Sequence, residues 1–510
     1  MLVKVYGKAI QGISARKITV EVNIENGVGY HLVGLPDNAI KESSHRISAA
    51  LKNVGYKLPG KKITINMAPA DLRKEGSAYD LTIAIGILAA NKNIKTDDLD
   101  RYIIMGELSL DGGLQSLKGV LPIAIQASKE GFKGIIIPQQ NAREAAIVDT
   151  LDVHGVANIS EVIEFFDKKK PLAKTKCDLL REFQKEIVNF PFDFNEVKGQ
   201  ETAKRALEIA AAGGHNILLI GSPGSGKTML AKRLPSILPP LNIEEALETT
   251  KIHSVAGKIE GNGSIITSRP FRSPHHSISD VALVGGGSYP QPGEISLAHN
   301  GVLFLDEMPE FKRSVLEVMR QPLEDRYVSI SRAKFSVNYP ASFMLVASMN
   351  PSPSGYFPDD PNNTSSMTEM QRYMSKISGP LLDRIDLHIE VSKVGFEQLS
   401  TKRKGEASSV IRQRVLHART IQSERFKATT INSNAQMGPK EIEQFCILDK
   451  ASLKLIKSAM EKLNLSARAY DRIIKVARSI ADLESAHQIS SLHISEAIQY
   501  RSLDRAFWRV

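Results

Sequence analysis

Residues Gly221, Ser222, Pro223, Gly224, Ser225, Gly226, Lys227 and Thr228 read G-x-x-x-x-G-K-T, a spacing suited to holding a triphosphate. The glycines let backbone N–H groups turn inward around phosphate oxygens with no side chain in the way. Lys227 can reach the β- and γ-phosphates, and the Thr228 hydroxyl offers an oxygen to Mg²⁺. A second stretch, Gly301-Val302-Leu303-Phe304-Leu305-Asp306-Glu307, ends an apolar run in two acids. Asp306 would complete the Mg²⁺ shell, and Glu307 would orient and deprotonate the attacking water. A third run, from Phe343 to Met349, ends in Asn350, whose amide can donate toward the γ-phosphate or the lytic water.

These groups need elements to aim them. The apolar run Asn216 to Ile220 predicts a strand leading into the glycine loop, and Met229 to Lys232 predicts the helix leaving it. The positive end of that helix adds to the attraction for phosphate. The run before Asp306 predicts a buried strand delivering charge at its C-terminal edge, where ligands bind in open α/β sheets. A helix over Thr202 to Ala211 precedes the loop strand. No guanine-reading N-K-x-D stands at a suitable place, which favours ATP over GTP.

The flanks divide the chain further. Residues 1–166 mix strand candidates, Ile18–Ile24, Lys61–Met67 and Gly134–Pro138, with helices over Asp80–Ala90 and Val120–Ser128. Residues 167–190 open on Asp167-Lys168-Lys169-Lys170-Pro171 and read as a linker. The core then spans 191–392. Residues 393–510 read as a helical domain, with apolar residues at helical spacing in Ala451–Leu463 and Tyr470–Leu483.

A chain of 510 residues has room for about three domains. Two cysteines, Cys177 and Cys446, exclude a disulfide framework and a cysteine metal cluster. No stretch has the apolar length of a membrane span, and the N-terminus lacks a signal-peptide core, so a cytoplasmic location without membrane contact is expected. A net charge of +10 favours polyanionic partners, nucleic acid first.

Ala68-Pro69-Ala70-Asp71-Leu72-Arg73-Lys74-Glu75-Gly76-Ser77 and Gly106-Glu107-Leu108-Ser109-Leu110-Asp111-Gly112 resemble the Lon-protease-type domain. That family uses a Ser–Lys dyad. Aligned on the second block, its lysine falls at Leu121 and not at Lys118, and the glycine and proline framing of its serine is missing around Ser77. The resemblance therefore implies a non-proteolytic scaffold. Phe194 to Gln200 resembles the lead-in that packs beside adenine in AAA+ ATPases. In that resemblance Asn350 is sensor 1 and Arg384 the arginine finger, with a local ion pair to Asp383 or Asp386 as the alternative. Arg468 resembles sensor 2, and Arg472 and Arg478 stand as alternatives to it.

Arg269-Pro270-Phe271-Arg272-Ser273-Pro274-His275-His276-Ser277, Ala282–Gly287, Pro292–His299 and Ile377–Asp386 narrow the resemblance to the magnesium-chelatase-like ComM/YifB family, over essentially the whole chain. It implies an α/β multidomain protein: a Lon-protease-like α+β N-terminal domain, an AAA+ P-loop α/β core and a C-terminal helical lid. It also implies a homo-hexameric motor using ATP and Mg²⁺ on single-stranded or branched DNA, with branch migration during natural transformation as its role. The alternative is a chelatase-like or protein-remodelling ATPase that does not act on DNA. Many members place cysteines after the sensor-1 asparagine, in a pattern resembling a zinc site. Here those places read Pro351-Ser352-Pro353-Ser354-Gly355 and Asn362-Asn363-Thr364-Ser365-Ser366, so no zinc is expected. Adjacent His275 and His276 suit a structural or DNA-facing loop better than a metal. Asp325 to Val337 reads as a hairpin before sensor 1, where Arg332 and Lys334 are the DNA-contact candidates.

Overall fold

The structure is a computed structural model that describes residues 1–72, 74, 76–185, 190–259, 265–287, 290–332, 335–400, 405–429, 431–463 and 465–501. Apolar–polar alternation at the start of the chain builds a long hairpin. Leu2–Gln11 pairs antiparallel with Ser14–Glu25, and the chain reverses at Gly12, where φ is +62°. From this hairpin grows a mixed seven-stranded sheet in the order Gly29–Val33, Lys62–Ala68, Ser14–Glu25, Leu2–Gln11, Tyr102–Ile104, Gly134–Pro138 and Asp152–Val156. The helix Asp80–Ala90 packs on the hairpin with every one of its residues buried. A helix with no polar face must be covered all round, and this one lies between the sheet and the helix Asn38–Asn53.

The second sheet has five strands, all parallel, in the order Phe271–Arg272, Val302–Leu305, Met344–Met349, Ile217–Ile220 and Leu387–Glu390. Its three central strands are buried throughout, as a parallel sheet covered on both faces requires. Alternate residues serve the two faces. Ile217, Leu219, Val302, Phe304 and Val346 pack toward the helix Glu201–Gly213, while Leu218, Ile220, Leu303, Leu305 and Leu345 face Phe311, Val315 and Leu381.

The C-terminal helices share the first of these two cores. Helix Ala467–Leu483 buries Ile473, Ile474, Ala477 and Ile480 along one stripe, and these residues join the cluster that holds Ile217 and Leu219. Its start is fixed by Ser466, whose hydroxyl accepts from the Ala469 N–H at 3.2 Å. The helical region and the parallel sheet are therefore built around a continuous hydrophobic interior.

Contacts with the core include two from the seven-stranded unit. Leu121 and Ile147 pack with Leu241, Ala246 and Ile265, and beside them the Gly119 N–H donates to the Ser254 carbonyl at 3.0 Å. The Glu144 carboxylate is buried here, accepting from the Leu121 N–H at 2.8 Å and from the Ser254 hydroxyl. Burial raises its pKa against the pull of those bonds. The second contact is a hairpin, Tyr327–Arg332 with Phe335–Pro340, in which Ile330 pairs with Val337. The Gly12 turn lies against Val337 so closely that a side chain there would clash. The Arg332 side chain and the whole of Lys334, both DNA-contact candidates, lie outside the described residues. Among the described residues, no helix is long and apolar enough to cross a membrane.

Candidate active site

The strand Ile217–Ile220 delivers the chain into the loop, and the three glycines there act for two reasons. A Cβ on Gly221 would collide with the Val391 carbonyl oxygen, so that position must let backbone approach backbone. Gly224 and Gly226 have open space around them but φ of +76° and +91°, a conformation that L side chains rarely adopt. Helix Lys227–Arg233 starts immediately afterwards. The lead-in is tied to the loop by Gln200, whose amide donates to the Ser225 carbonyl at 3.2 Å.

Lys227 is 8 % exposed and held from three sides: its ammonium donates to the Gly221 carbonyl at 2.6 Å, to Ser222 at 3.2 Å and to Asn350 Oδ1 at 3.2 Å. Burial lowers its pKa, and the nearby Asp306 and Glu307 carboxylates pull it back up. The Thr228 hydroxyl donates to Asp306 Oδ2 at 2.8 Å, and the Ser348 hydroxyl donates to the other Asp306 oxygen. The same Ser348 oxygen accepts from the Glu307 N–H at 3.1 Å. Glu307 itself sits at φ +53°, turned out of the strand direction at the sheet edge.

The structure thus brings Lys227, Thr228, Asp306, Glu307 and Asn350 to one place, from three adjacent strands. Ser348 and Gln200 were missed by sequence reasoning. Ser348 could have been found, because it is the polar residue two positions before Asn350 in an apolar run, and i and i+2 share a face of a strand.

The residues present fit a nucleoside triphosphate with a divalent cation. The Ser225 hydroxyl is buried and has no hydrogen-bond partner among the described residues, so the loop carries an unsatisfied polar atom. Thr228 and Asp306 present neighbouring oxygens, the donor type that Mg²⁺ takes.

Arg384 and Arg468 lie elsewhere. The Asn216 amide donates to the Arg384 carbonyl at 3.0 Å, and Leu387 is in register with Ile217. Arg384 therefore stands at the N-terminal edge of the parallel sheet, while the glycine loop leaves the C-terminal edge. A strand of that length separates them by roughly 13 Å at about 3.3 Å per residue. The Arg384 guanidinium donates to the Pro380 carbonyl at 2.6 Å and pairs with Glu324. The local partners weighed from sequence, Asp383 and Asp386, are not the ones it takes. Arg468, 61 % exposed, is 3.8 Å from Asp383 on this same edge.

Of the two alternatives to Arg468, Arg478 is buried, bonding Asp482 at 3.0 Å and the His487 carbonyl at 2.9 Å. Arg472 donates to Asp386 at 2.7 Å. Asp386 is fully enclosed and also accepts from the Asn216 N–H at 3.0 Å. Burial would raise its pKa, but Arg472 and then His215 hold it well below the usual carboxylate range. His215 in turn meets the Ser479 hydroxyl at 2.7 Å, so the helix Ala467–Leu483 is pinned to the start of the loop strand.

Two sequence features resolve into hydrogen-bonded loops. The His275 and His276 rings lie 4.1 Å apart, with His275 Nδ1 at 2.9 Å from the Ser277 hydroxyl. After Asn350, the Ser352 and Ser354 hydroxyls are 2.9 Å apart. Ser352 donates to the Tyr356 carbonyl at 2.7 Å, Ser354 donates to Asn363 at 2.8 Å, and Ser365 accepts from the Ser354 N–H at 3.0 Å.

Fold and site together define a P-loop α/β protein with an acidic pair on the strand beside the loop's neighbour. Comparison with known proteins narrows this. Residues 193–399 match the family described as magnesium chelatase, subunit ChlI. Residues 20–141 match subunit ChlI of Mg-chelatase, and 405–501 match its C-terminal family. The competence protein ComM of Haemophilus influenzae is 46 % identical over 508 residues, covering 98 % of this chain and 97 % of that protein. An uncharacterized protein YifB of Escherichia coli is 44 % identical over 505 residues, with 98 % and 97 % coverage. The magnesium-chelatase subunit ChlI of Chlorella vulgaris is 22 % identical over 339 residues, covering 60 % of this chain and 86 % of that one. The chain belongs to the magnesium-chelatase-like ComM/YifB family. Membership implies use of ATP and Mg²⁺.

Proposed function

We propose that the protein is an AAA+ ATPase that works as a homo-hexameric ring and drives branched or single-stranded DNA, with branch migration during natural transformation as its role. The observation that carries the ring is the division of the site. Lys227, Thr228, Asp306, Glu307 and Asn350 meet at one sheet edge, and Arg384 stands at the other. An arginine so placed can meet a triphosphate only on a neighbouring subunit. Magnesium, when bound, draws charge from the β- and γ-phosphates. Thr228 and Asp306 would hold it, Lys227 would turn from the loop carbonyls to the phosphates, and Glu307 would take the proton of the attacking water. Arg384 would leave Glu324 for the neighbour's γ-phosphate, with Arg468 beside it. In this reading the seven-stranded unit is a Lon-like, non-proteolytic scaffold. No hydrogen bond joins Ser77 to Lys118, whose side chain lies instead along Gly257 of the core. The C-terminal helices serve as the lid.

The DNA part of the reading rests on kinship with the competence protein and on the net charge of +10. The chelatase-type family descriptions favour a second reading, an ATPase that remodels a protein or chelatase partner and never meets DNA. One experiment separates them: ATPase rate with and without single-stranded and forked DNA, alongside particle mass with ATP. Stimulation by DNA and a six-fold mass support the motor. A rate indifferent to DNA removes it, and a monomeric mass with ATP removes the shared site.

A further inference from the structure

We propose that the protein has a second anion site, at the N-terminal edge of the parallel sheet, that takes a small phosphate-class oxyanion. The site is a cavity of about 90 Å³ where Arg269, Arg326 and Arg419 converge. A water needs about 10–15 Å³ of such space, so this volume admits a tetrahedral oxyanion with its first waters. Gly301 and Met344, at the starts of the strands that carry Asp306 and Asn350, form part of its wall. The site is therefore at the far end of the same strands from the glycine loop, roughly 13 Å away at about 3.3 Å per residue.

The charges in this cavity do not balance. One carboxylate, Glu245, lines it, and it is 3.0 Å from Arg269. Arg269 is otherwise fixed by the Pro239 carbonyl at 2.6 Å and the Asn300 carbonyl at 2.7 Å. Among the described residues Arg419 is held by neutral oxygens alone, the Ala211 carbonyl at 3.2 Å and the Asn432 carbonyl at 3.1 Å. The Arg326 guanidinium makes no hydrogen bond or ion pair among the described residues, though burial already presses its pKa down. Burial, and then the facing charge of Arg269, push Arg419 down to about 9.

Burying a guanidinium without an ion pair is costly. Among the described residues neither Arg326 nor Arg419, both partly buried, has a carboxylate at ion-pair distance; Asp386 and Glu245 act on them only from further off. Forked donors that converge on one small space match the several oxygens of a phosphate better than the two of a carboxylate. The occupant would also bridge two parts of the chain, since Arg269 and Arg326 belong to the core and Arg419 to the helical region. Binding should therefore tighten the docking of the C-terminal helices. The inference does not depend on the proposed function.

The test uses the full chain with Lys227→Ala, which disables the glycine loop, and follows the melting temperature as inorganic phosphate replaces chloride at constant ionic strength. A saturable rise of about 2–4 °C is expected, as for a ligand bound by the folded state alone. In Lys227→Ala/Arg326→Gln the rise should vanish. Arg326 makes no hydrogen bond to lose, so that variant should melt within a degree or so of its parent in chloride. Magnesium-free ATP in place of phosphate separates the sources: a rise with both anions marks a general phosphate site, and a rise with ATP alone marks a site for a nucleotide's phosphates. No rise with either anion in Lys227→Ala overturns the proposal, and so does a rise that persists once Arg326 is replaced.

Discussion

At the C-terminal edge of the five-stranded sheet, Lys227, Thr228, Asp306 and Asn350 hold one another through single, exchangeable hydrogen bonds. At the N-terminal edge, Asp386 is bonded at once by Asn216 and Arg472, with His215 beside it; Asp386, Asn216 and His215 are buried and Arg472 is partly exposed. The first arrangement keeps partners that a phosphate or a cation can displace at little cost. The second would leave the Asp386 carboxylate in the interior without its charge partner if Arg472 were removed. One edge is built for turnover and the other for cohesion. Arg384 is the exception on the cohesive edge, because its carboxylate partner Glu324 is an exposed residue that can be given up.

That contrast can be broken by substitution. The largest effect is expected from Arg384→Ala, which should lower steady-state hydrolysis by about 10³–10⁵ while nucleotide binding stays intact. Mixed with Glu307→Gln subunits it should regain part of its rate. Mixtures no faster than either variant would place Arg384 outside the neighbour's site. Glu307→Gln alone should slow hydrolysis by about 10²–10⁴ and retain bound ATP, measured by filter binding after a chase. Asp386→Asn should leave the glycine loop untouched and lower stability by about 3–5 kcal/mol in urea unfolding. A loss under about 1 kcal/mol would show that the network is not the clamp described here.

The sign of the pH effect follows from the same residue. Arg472 and His215 hold the Asp386 carboxyl below its unfolded value, so its contribution is present above about pH 3.9 and fades as pH falls through the folded value. Wild type should therefore lose stability more steeply than Asp386→Asn below about pH 4, and parallel curves would contradict this. The smallest effect is expected from Ser348→Ala, which frees one Asp306 oxygen and should weaken Mg²⁺ dependence of hydrolysis by about 10–100-fold.

Much of the C-terminal edge was legible in the sequence because each piece is local. An apolar run followed at once by its polar residue fixes both the strand and the direction it points. The residues that complete this edge are less visible. Gln200 reaches Ser225 from a preceding turn, and Ser348 acts through two neighbours at once. The N-terminal edge was largely illegible, since His215, Asp386, Arg472 and Ser479 are brought together only by tertiary packing. Helical periodicity in Tyr470–Leu483 announced a helix, yet nothing in it told that its apolar stripe would enter the same interior as Ile217. The arginines of the proposed anion cavity are scattered from Arg269 to Arg419, and no spacing rule links them.

The loop after Asn350 is fastened by serine hydroxyls and an asparagine amide. Such a fastening has no metal to surrender and no thiol to oxidise. Chelators and peroxide should therefore leave the loop's geometry unchanged, and any sensitivity of the protein to chelation should trace to the Mg²⁺ that Thr228 and Asp306 would hold. Each hydroxyl bond is also individually weak, at about 1 kcal/mol net, so this loop can loosen and re-form one bond at a time. A thiolate–metal knot opens only by releasing its ion. The loop placed directly after the residue that contacts Lys227 is thus held by a thermally graded fastening.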